Sequence, residues 1–131
     1  MGNEKLLEKS NQNDETGTWA EGKKYFDVAV SRYYYSVYQK MLVIAEKRNY
    51  EINTSGHKGS HVYFTSEFIR KLRDEGIVEA SEFSWLNKIV MLKKLRVKSD
   101  YKNNSITNEN DYKLSFKCSY NAIQKIFDKL T

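Results

Sequence analysis

The stretch FDVAVSRYYYSVYQKMLVIA, residues 26–45, decides the fold of this 131-residue chain. Apolar side chains recur along it in steps of three and four: Phe26, Val30, Tyr33, Val37, Met41 and Ile44. This spacing is the period of an amphipathic helix. A second row, Val28, Tyr35 and Leu42, widens the apolar face. We therefore predict one long helix from Trp19 to about Arg48 at the centre of the core.

Three further helices are predicted on the same basis, over residues 61–75, 80–103 and 108–130. Gly76 suits the end of the first of them. The inner row of the second is predicted to be Phe83, Leu86, Val90, Val97 and Tyr101. The third carries the most regular apolar row: Tyr112, Phe116, Tyr120, Ile123, Phe127 and Leu130. Four amphipathic helices with short links predict an all-α fold, an antiparallel up-and-down four-helix bundle.

The composition agrees with long helices in one domain. The chain has no proline and six glycines, and 40% of its residues are hydrophobic. Proline-free chains favour uninterrupted helices over folds rich in turns. The polar, acidic-leaning start of the chain, residues 1–18, is predicted to be a mobile arm, and residues 19–131 a single helical domain.

Several classes of protein are excluded by what the sequence lacks. It has no long apolar run that could span a membrane and no apolar segment of a secretory signal. Cys118 is the single cysteine, which excludes a disulfide framework. We therefore expect a cytoplasmic, reduced protein with no membrane association. We predict no metal, because His57 and His61 stand in a glycine-containing loop without an evident third ligand, and no cofactor, because no phosphate-binding glycine loop occurs.

A basic segment, LKKLRVKSDY at residues 92–101, lies near the end of the helix predicted over residues 80–103. Its cations belong either to an ordinary solvated face or to a surface that contacts the phosphates of RNA or a nucleotide. Arg96 and Asp100 are four residues apart, so they can pair on one helix face and hold the guanidinium ready for an anion. The candidate RNA- or nucleotide-binding residues are Arg32, His57, His61, Lys93, Arg96 and Lys98.

Tyr33, Tyr34 and Tyr35 form a second candidate feature. Successive residues of a helix point about 100° apart, so these three rings cannot all face the core. We predict that at least one of them uses its hydroxyl at a surface, at a partner interface or in a polar site. The alternative for each single tyrosine is a plain core position.

Three segments taken together resemble the HEPN superfamily, the higher eukaryotes and prokaryotes nucleotide-binding domain. They are AVSRYYYSVYQKML in the first predicted helix, SGHKGSHVYFTSEF after it, and the Arg-x-x-x-Asp-Tyr ending at Arg96, Asp100 and Tyr101. The resemblance covers roughly residues 20–130. It implies an all-α bundle that forms a homodimer around a shared cleft. Many HEPN members are metal-independent RNases of toxin–antitoxin, abortive-infection and CRISPR systems.

The nuclease members carry a histidine four to six residues after the arginine, whereas this chain has Tyr101 there and no histidine in residues 62–131. Tyrosine, with a pKa near 10, exchanges protons poorly at neutral pH. We therefore predict a non-catalytic RNA-, nucleotide- or partner-binding homodimer. The alternative is an RNase toxin with an atypical site, its catalytic residues being Arg96, Asp100 and Tyr101. The resemblance also makes a nucleotidyltransferase or other defence-system protein a candidate partner. Such a partner would be a separate chain, because this chain lacks a nucleotidyltransferase motif.

Overall fold

The computed structural model describes residues 2–56, 60–101 and 108–131, and these residues contain helices and connecting turns but no strand. The helices are α1 (Gly2–Gly22), α2 (Phe26–Lys47), α3 (Ser60–Glu75), α4 (Ala80–Leu86), α5 (Ile89–Tyr101), α6 (Glu109–Tyr112) and α7 (Cys118–Leu130). A π-helical turn, Lys113–Lys117, joins α6 to α7. The prediction of an all-α fold is confirmed. Within the described ranges, no helix is both long enough and apolar enough to cross a membrane.

Helix α2 lies at the centre of the core, as the apolar stripe predicted. It contacts α1, α3, α5 and α7. The core residues include Val30, Tyr33, Tyr34, Val37, Met41, Ile44, Phe68, Leu72, Leu86, Phe116 and Phe127. Because α2 is surrounded on several sides, two adjacent tyrosines can both be buried without pointing in the same direction.

The mobile arm predicted for residues 1–18 is wrong, because residues 2–22 form helix α1 packed against α2. The side of α1 that packs against α2, its inner seam, consists of small and polar residues: Ser10, Asn13, Gly17 and Ala20. Ser10 Oγ donates to the Ser36 carbonyl at 2.7 Å. Gly17 lets the two helices approach closely, since a Cβ atom there would lie 2.6 Å from Cδ1 of the Tyr33 ring. A seam without large apolar side chains gives no amphipathic signal.

The helix predicted from Trp19 onward is also interrupted, and α2 begins at Phe26. The last turn of α1 closes on Ala20, whose carbonyl accepts from Tyr25 N at 2.8 Å. Lys24 adopts a left-handed backbone conformation there, with φ 62°. A residue with a Cβ atom is disfavoured in that conformation by about 1 kcal/mol. Gly22, the last residue of α1, is the one helix-ending residue type in residues 22–25, and the prediction passed over it.

The third predicted helix, residues 80–103, is divided at Asn87 and Lys88 into α4 and α5. Leu86 is buried as predicted. The inner row of α5 is not Val90 and Val97, which are half-buried. It consists of Ile89, Leu92 and Arg96, with Arg96 only 8% exposed. The break at Asn87 turns α5 so that an arginine takes a core-facing position.

The remaining helices agree with the sequence. Helix α3 ends at Glu75, and Gly76 follows with φ 68° as predicted. Tyr112, Phe116 and Tyr120 stack with ring centroids 6.0 Å apart at each step. Two successive four-residue steps drift around a regular helix of about 3.6 residues per turn. The wider π-helical turn between α6 and α7 keeps the three rings in line.

Candidate functional site

Helices α2, α3 and α5 bring a group of polar and aromatic side chains together beside the core. We call it the Arg96 cluster; it consists of Tyr34, Tyr35, Tyr38, His61, Arg96 and Asp100. The tyrosines come from consecutive turns of α2, His61 from the first turn of α3, and the other two from the last turns of α5. The cluster therefore depends on the packing of three helices that are distant in sequence.

Arg96 is the centre of the cluster, and its side chain is 10% exposed. Its Nη1 donates to Asp100 Oδ2 at 3.0 Å and to the Tyr35 hydroxyl at 3.3 Å. The guanidinium carbon lies 5.6 Å from the centroid of the Tyr34 ring and 5.3 Å from that of Tyr35, within the range of cation–π attraction. The i,i+4 pair predicted from the sequence is thus formed, and two tyrosine rings fix the guanidinium as well.

His61 is tied to the cluster through Tyr34. Its Nδ1 lies 3.1 Å from the Tyr34 hydroxyl, and its ring stacks on Tyr38 with centroids 4.0 Å apart. Burial lowers the pKa of His61, and the positive charges of Lys93 and Arg96 lower it further. His61 is therefore neutral at pH 7. Burial also raises the pKa of Tyr34, which keeps its hydroxyl protonated.

The other predicted site residues lie at different distances from this centre. Lys93 is half-buried on α5, near enough to His61 to act on its pKa. Lys98 is exposed on α5. Arg32 is exposed on α2, next to Ser31, whose hydroxyl reaches Asp100 Oδ2 at 3.5 Å. His57 and the side chain of Tyr101 lie outside the described residues, so their predicted roles stay predictions.

The prediction about the three tyrosines is confirmed by Tyr34 and Tyr35. Both hydroxyls serve polar partners, His61 and Arg96 respectively. Sequence reasoning did not single out Tyr38, although its position four residues after Tyr34 places it on the same helix face. Arg96 is paired with the carboxylate of Asp100, and Lys93 adds a second positive charge near His61.

The structure contains a second polar region that the sequence did not predict. A cleft of about 420 Å³ lies between α1, α2 and α7. In it the nearly buried Lys40 donates to Asp128 at 2.6 Å and to Gln124 at 2.9 Å, and the Tyr120 hydroxyl donates to Asp14. No signal pointed to this cleft, because one of its walls is the helix that was predicted to be a mobile arm.

The fold and the cluster define an all-α protein with an arginine-centred polar site at the junction of three helices. Within the described ranges, no group of three or more His, Cys, Asp or Glu side chains could hold a metal ion. The chain matches no protein-family model, no curated protein and no solved structure.

Proposed function

We propose that this chain is a non-catalytic, HEPN-like domain that binds RNA or a nucleotide through the Arg96 cluster. The observation that carries the proposal is the held guanidinium of Arg96, which Asp100, Tyr34 and Tyr35 keep in one position. A guanidinium that is already oriented loses little freedom when it binds a phosphate. Lys93 and Lys98 on the same helix supply further positive charge.

The proposal includes the arrangement of the helices. Helices α2 and α3, the pair α4 and α5, and the continuous α6–α7 segment would form the antiparallel four-helix unit of a HEPN-like domain. Helix α1 would then be an addition to that unit. The central position of α2 and its contacts with α3, α5 and α7 support this arrangement.

The proposal also includes the cellular setting that the resemblance implies. The domain would act in the cytoplasm as a homodimer in a toxin–antitoxin or phage-defence system, with a nucleotidyltransferase or another defence protein as its partner. The Arg96, Asp100 and Tyr101 ending and the net charge of +5 support an anionic ligand. Two copies with their α5 ends adjacent would double the number of cations around one RNA.

Binding to RNA can be measured by fluorescence anisotropy with a labelled single strand. Arg96→Ala should weaken binding by about tenfold or more, because a charged hydrogen-bond donor to phosphate is lost. Lys98→Ala, at an exposed position, should give a smaller loss and a shallower salt dependence, by about 0.7 in the log–log slope for each phosphate contact removed.

Arg70→Ala is the matched control, because Arg70 is an exposed arginine on α3 that pairs with Glu67. This variant should bind as the original chain does. Circular dichroism shows whether Arg96→Ala still folds. Equal affinity of the original chain, Arg96→Ala and Lys98→Ala would remove the Arg96 cluster from RNA binding.

A second candidate function is a metal-independent RNase, and one observation favours it. His61 lies in the Arg96 cluster and is neutral at pH 7, since its pKa is lowered. In the tautomer protonated at Nδ1 it donates to the Tyr34 hydroxyl, which leaves Nε2 to accept a proton from a ribose 2′-hydroxyl. His61 would then replace the histidine that the nuclease members carry after the arginine.

RNA cleavage in the presence of a chelator distinguishes the two functions. An RNase should give products ending in a 2′,3′-cyclic phosphate, and His61→Gln and Arg96→Ala should each abolish them. Arg70→Ala, at an exposed position on α3 outside the Arg96 cluster, is the control. Intact RNA at high protein concentration would reject the RNase and leave the binding domain.

A further inference from the structure

Three large apolar side chains are exposed around the connection between α1 and α2. Trp19 is 57% exposed, Tyr25 52% and Val28 44%. The rings of Trp19 and Tyr25 contact each other edge to face, with their centroids 5.9 Å apart. Large apolar side chains grouped on a surface commonly mark an interaction site. The residues and charges around these rings indicate what kind of ligand the surface would accept.

The same face of α2 leads from these rings to the Arg96 cluster. We call this surface the α2 strip; it consists of Trp19, Tyr25, Val28, Arg32 and Tyr35. Tyr25 belongs to the first turn of the helix, because its carbonyl accepts from Ala29 N at 3.0 Å. From Tyr25 onward the strip advances in steps of three, four and three residues, which keeps its members on one side of the helix. Its far end is Tyr35, whose hydroxyl accepts from Arg96 at 3.3 Å.

The length of the α2 strip suits a short segment of nucleic acid. Ten residues of α-helix, the distance from Tyr25 to Tyr35, rise about 15 Å. Stacked nucleotides of one strand rise about 3.4 Å each, so about four of them would cover this distance. One RNA strand can therefore lie along the strip and reach the guanidinium of Arg96 at its end.

Among the described residues beside the α2 strip, exposed cations outnumber exposed carboxylates. The two lysines of the connection, residues 23 and 24, are exposed, and so is Arg32. Glu15, one turn before Trp19, is an exposed carboxylate, whereas Glu21 and Asp27 are half-buried. Near the other end of the strip, the carboxylate of Asp100 is paired within the Arg96 cluster. The strip thus combines exposed aromatic rings with a surplus of positive charge.

This combination is suited to single-stranded nucleic acid. Unpaired bases stack on exposed aromatic side chains, while cations beside the rings contact the phosphates. In a duplex the bases stack on one another, so their faces are closed to a protein ring. Because the strip continues into the Arg96 cluster, a single RNA strand can occupy both surfaces at once.

We propose that the α2 strip binds unpaired bases of an RNA strand whose phosphates lie at Arg32 and at the Arg96 cluster. One base stacks on the rings of Trp19 and Tyr25. The ligand of the domain is then single-stranded RNA and not a duplex. This inference rests on the proposed function for the choice of RNA, and it adds the surface that receives the bases.

The fluorescence of Trp19 reports base stacking directly. The chain has two tryptophans, so Trp85→Phe leaves Trp19 as the single tryptophan. A single-stranded RNA of about 12 nucleotides should quench its emission, and the same RNA annealed to its complement should not. Trp19→Phe, which leaves Trp85 on α4 as the single tryptophan, is the control and should show no quenching. Circular dichroism shows whether both variants fold.

The affinity of the same single strand, measured by fluorescence anisotropy, tests the contribution of the ring. Trp19→Ala should weaken binding by about fivefold or more, whereas Trp19→Phe, which keeps an aromatic ring, should weaken it less. Ile77→Ala is the matched control, because Ile77 is also an exposed apolar residue, 38% exposed. It follows α3, whose last residue, Glu75, pairs with Arg48 at 3.7 Å, at the end of α2 opposite to Tyr25. This variant should bind as the original chain does.

The outcomes separate this inference from the proposed function. Weaker binding by Arg96→Ala with unchanged binding by Trp19→Ala would reject the α2 strip and keep the Arg96 cluster. The reverse result would keep the strip and remove the cluster from RNA binding. Equal affinity for single strand and duplex would overturn the inference. A shift of Trp19 emission with vesicles of phosphatidylcholine and phosphatidylserine, and none with RNA, would also overturn it and would indicate a membrane-binding surface.

Discussion

Gly17 on α1 lies directly against the ring of Tyr33 on α2. We predict that Gly17→Ala destabilises the protein by about 1–3 kcal/mol, because its Cβ atom would overlap the buried Tyr33 ring. Urea unfolding followed by circular dichroism measures the change as a lower midpoint. Gly22→Ala is the control, since its Cβ atom would meet nothing within 4 Å. Equal midpoints for the two variants would contradict the packing described for α1.

His61 makes the stability of the protein depend on pH in a defined direction. Burial lowers its pKa from the ordinary value of 6.5, so below that value the unfolded chain binds a proton that the folded chain does not. Stability is therefore predicted to fall as the pH decreases through 6.5, and the loss should level off below the lowered pKa of the folded state.

Urea midpoints of the original chain and His61→Gln, compared between about pH 5 and pH 8, isolate this contribution. The carboxylates titrate in both proteins and cancel in the difference. The difference curve should be flat above pH 7 and slope below it. A flat curve throughout would show that His61 has the same pKa in the folded and unfolded states.

Helix α1 is the element that most distinguishes the structure from the sequence prediction. We predict that the amides of residues 10–20 exchange with deuterium slowly, because Ser10, Gly17 and Ala20 are buried against α2. Hydrogen-exchange mass spectrometry of peptides from this region provides the measurement. Peptides of the non-helical loop at residues 51–55 serve as the fast reference. Amide exchange as fast as in that loop would mean that this region is a mobile arm, as the sequence predicted, and not a packed helix.

The elements that the sequence predicts well are those with large apolar side chains at helical spacing. Residues 26–45, α3 and the row from Tyr112 to Phe127 belong to this group. The sequence does not predict helix α1, because Ser10 and Gly17 fit α2 by shape and hydrogen bonding, which depend on the partner helix. The sequence does not predict the bends at Lys24 and Asn87, because the packing of the adjoining helices determines where they form. Neither residue is a glycine or a proline.

The candidate site likewise has a part that the sequence predicts and a part that depends on the tertiary fold. The pairing of Arg96 with Asp100 is local, so their spacing on one helix predicts it. The contact of His61 with Tyr34 joins α3 to α2 and depends on the tertiary fold. The burial of Arg96 depends on the rotation of α5 after Asn87. Residue spacing therefore predicts the contact within one helix, and only the packing of three helices shows which other groups meet.

The whole molecule carries ten tyrosines, and several of them hold its interior together. Burial raises the pKa of Tyr34, Tyr112 and Tyr120, and the carboxylates of Glu21 and Asp14 raise the last two further. Above pH 10 the unfolded chain loses protons that these residues keep in the folded chain. Stability is therefore predicted to fall steeply as the pH rises above 10.

Absorbance at 295 nm, recorded with circular dichroism during an alkaline titration, tests this prediction. Exposed tyrosines should ionise near pH 10, and the buried ones only together with unfolding, in one cooperative step. The chain in concentrated guanidinium is the reference, and there all tyrosines should titrate near pH 10. Independent ionisation of every tyrosine while the helices persist would contradict the burial of these three residues.

The π-helical turn at Lys113–Lys117 has a consequence for tracing the ancestry of this protein. Such a turn takes up one residue more than a regular helical turn. A homologue with an unbroken α-helix in this place would therefore be one residue shorter between Tyr112 and Tyr120. The stacked rings of the two proteins would match only with a single-residue gap inside the helix, where gaps are ordinarily forbidden.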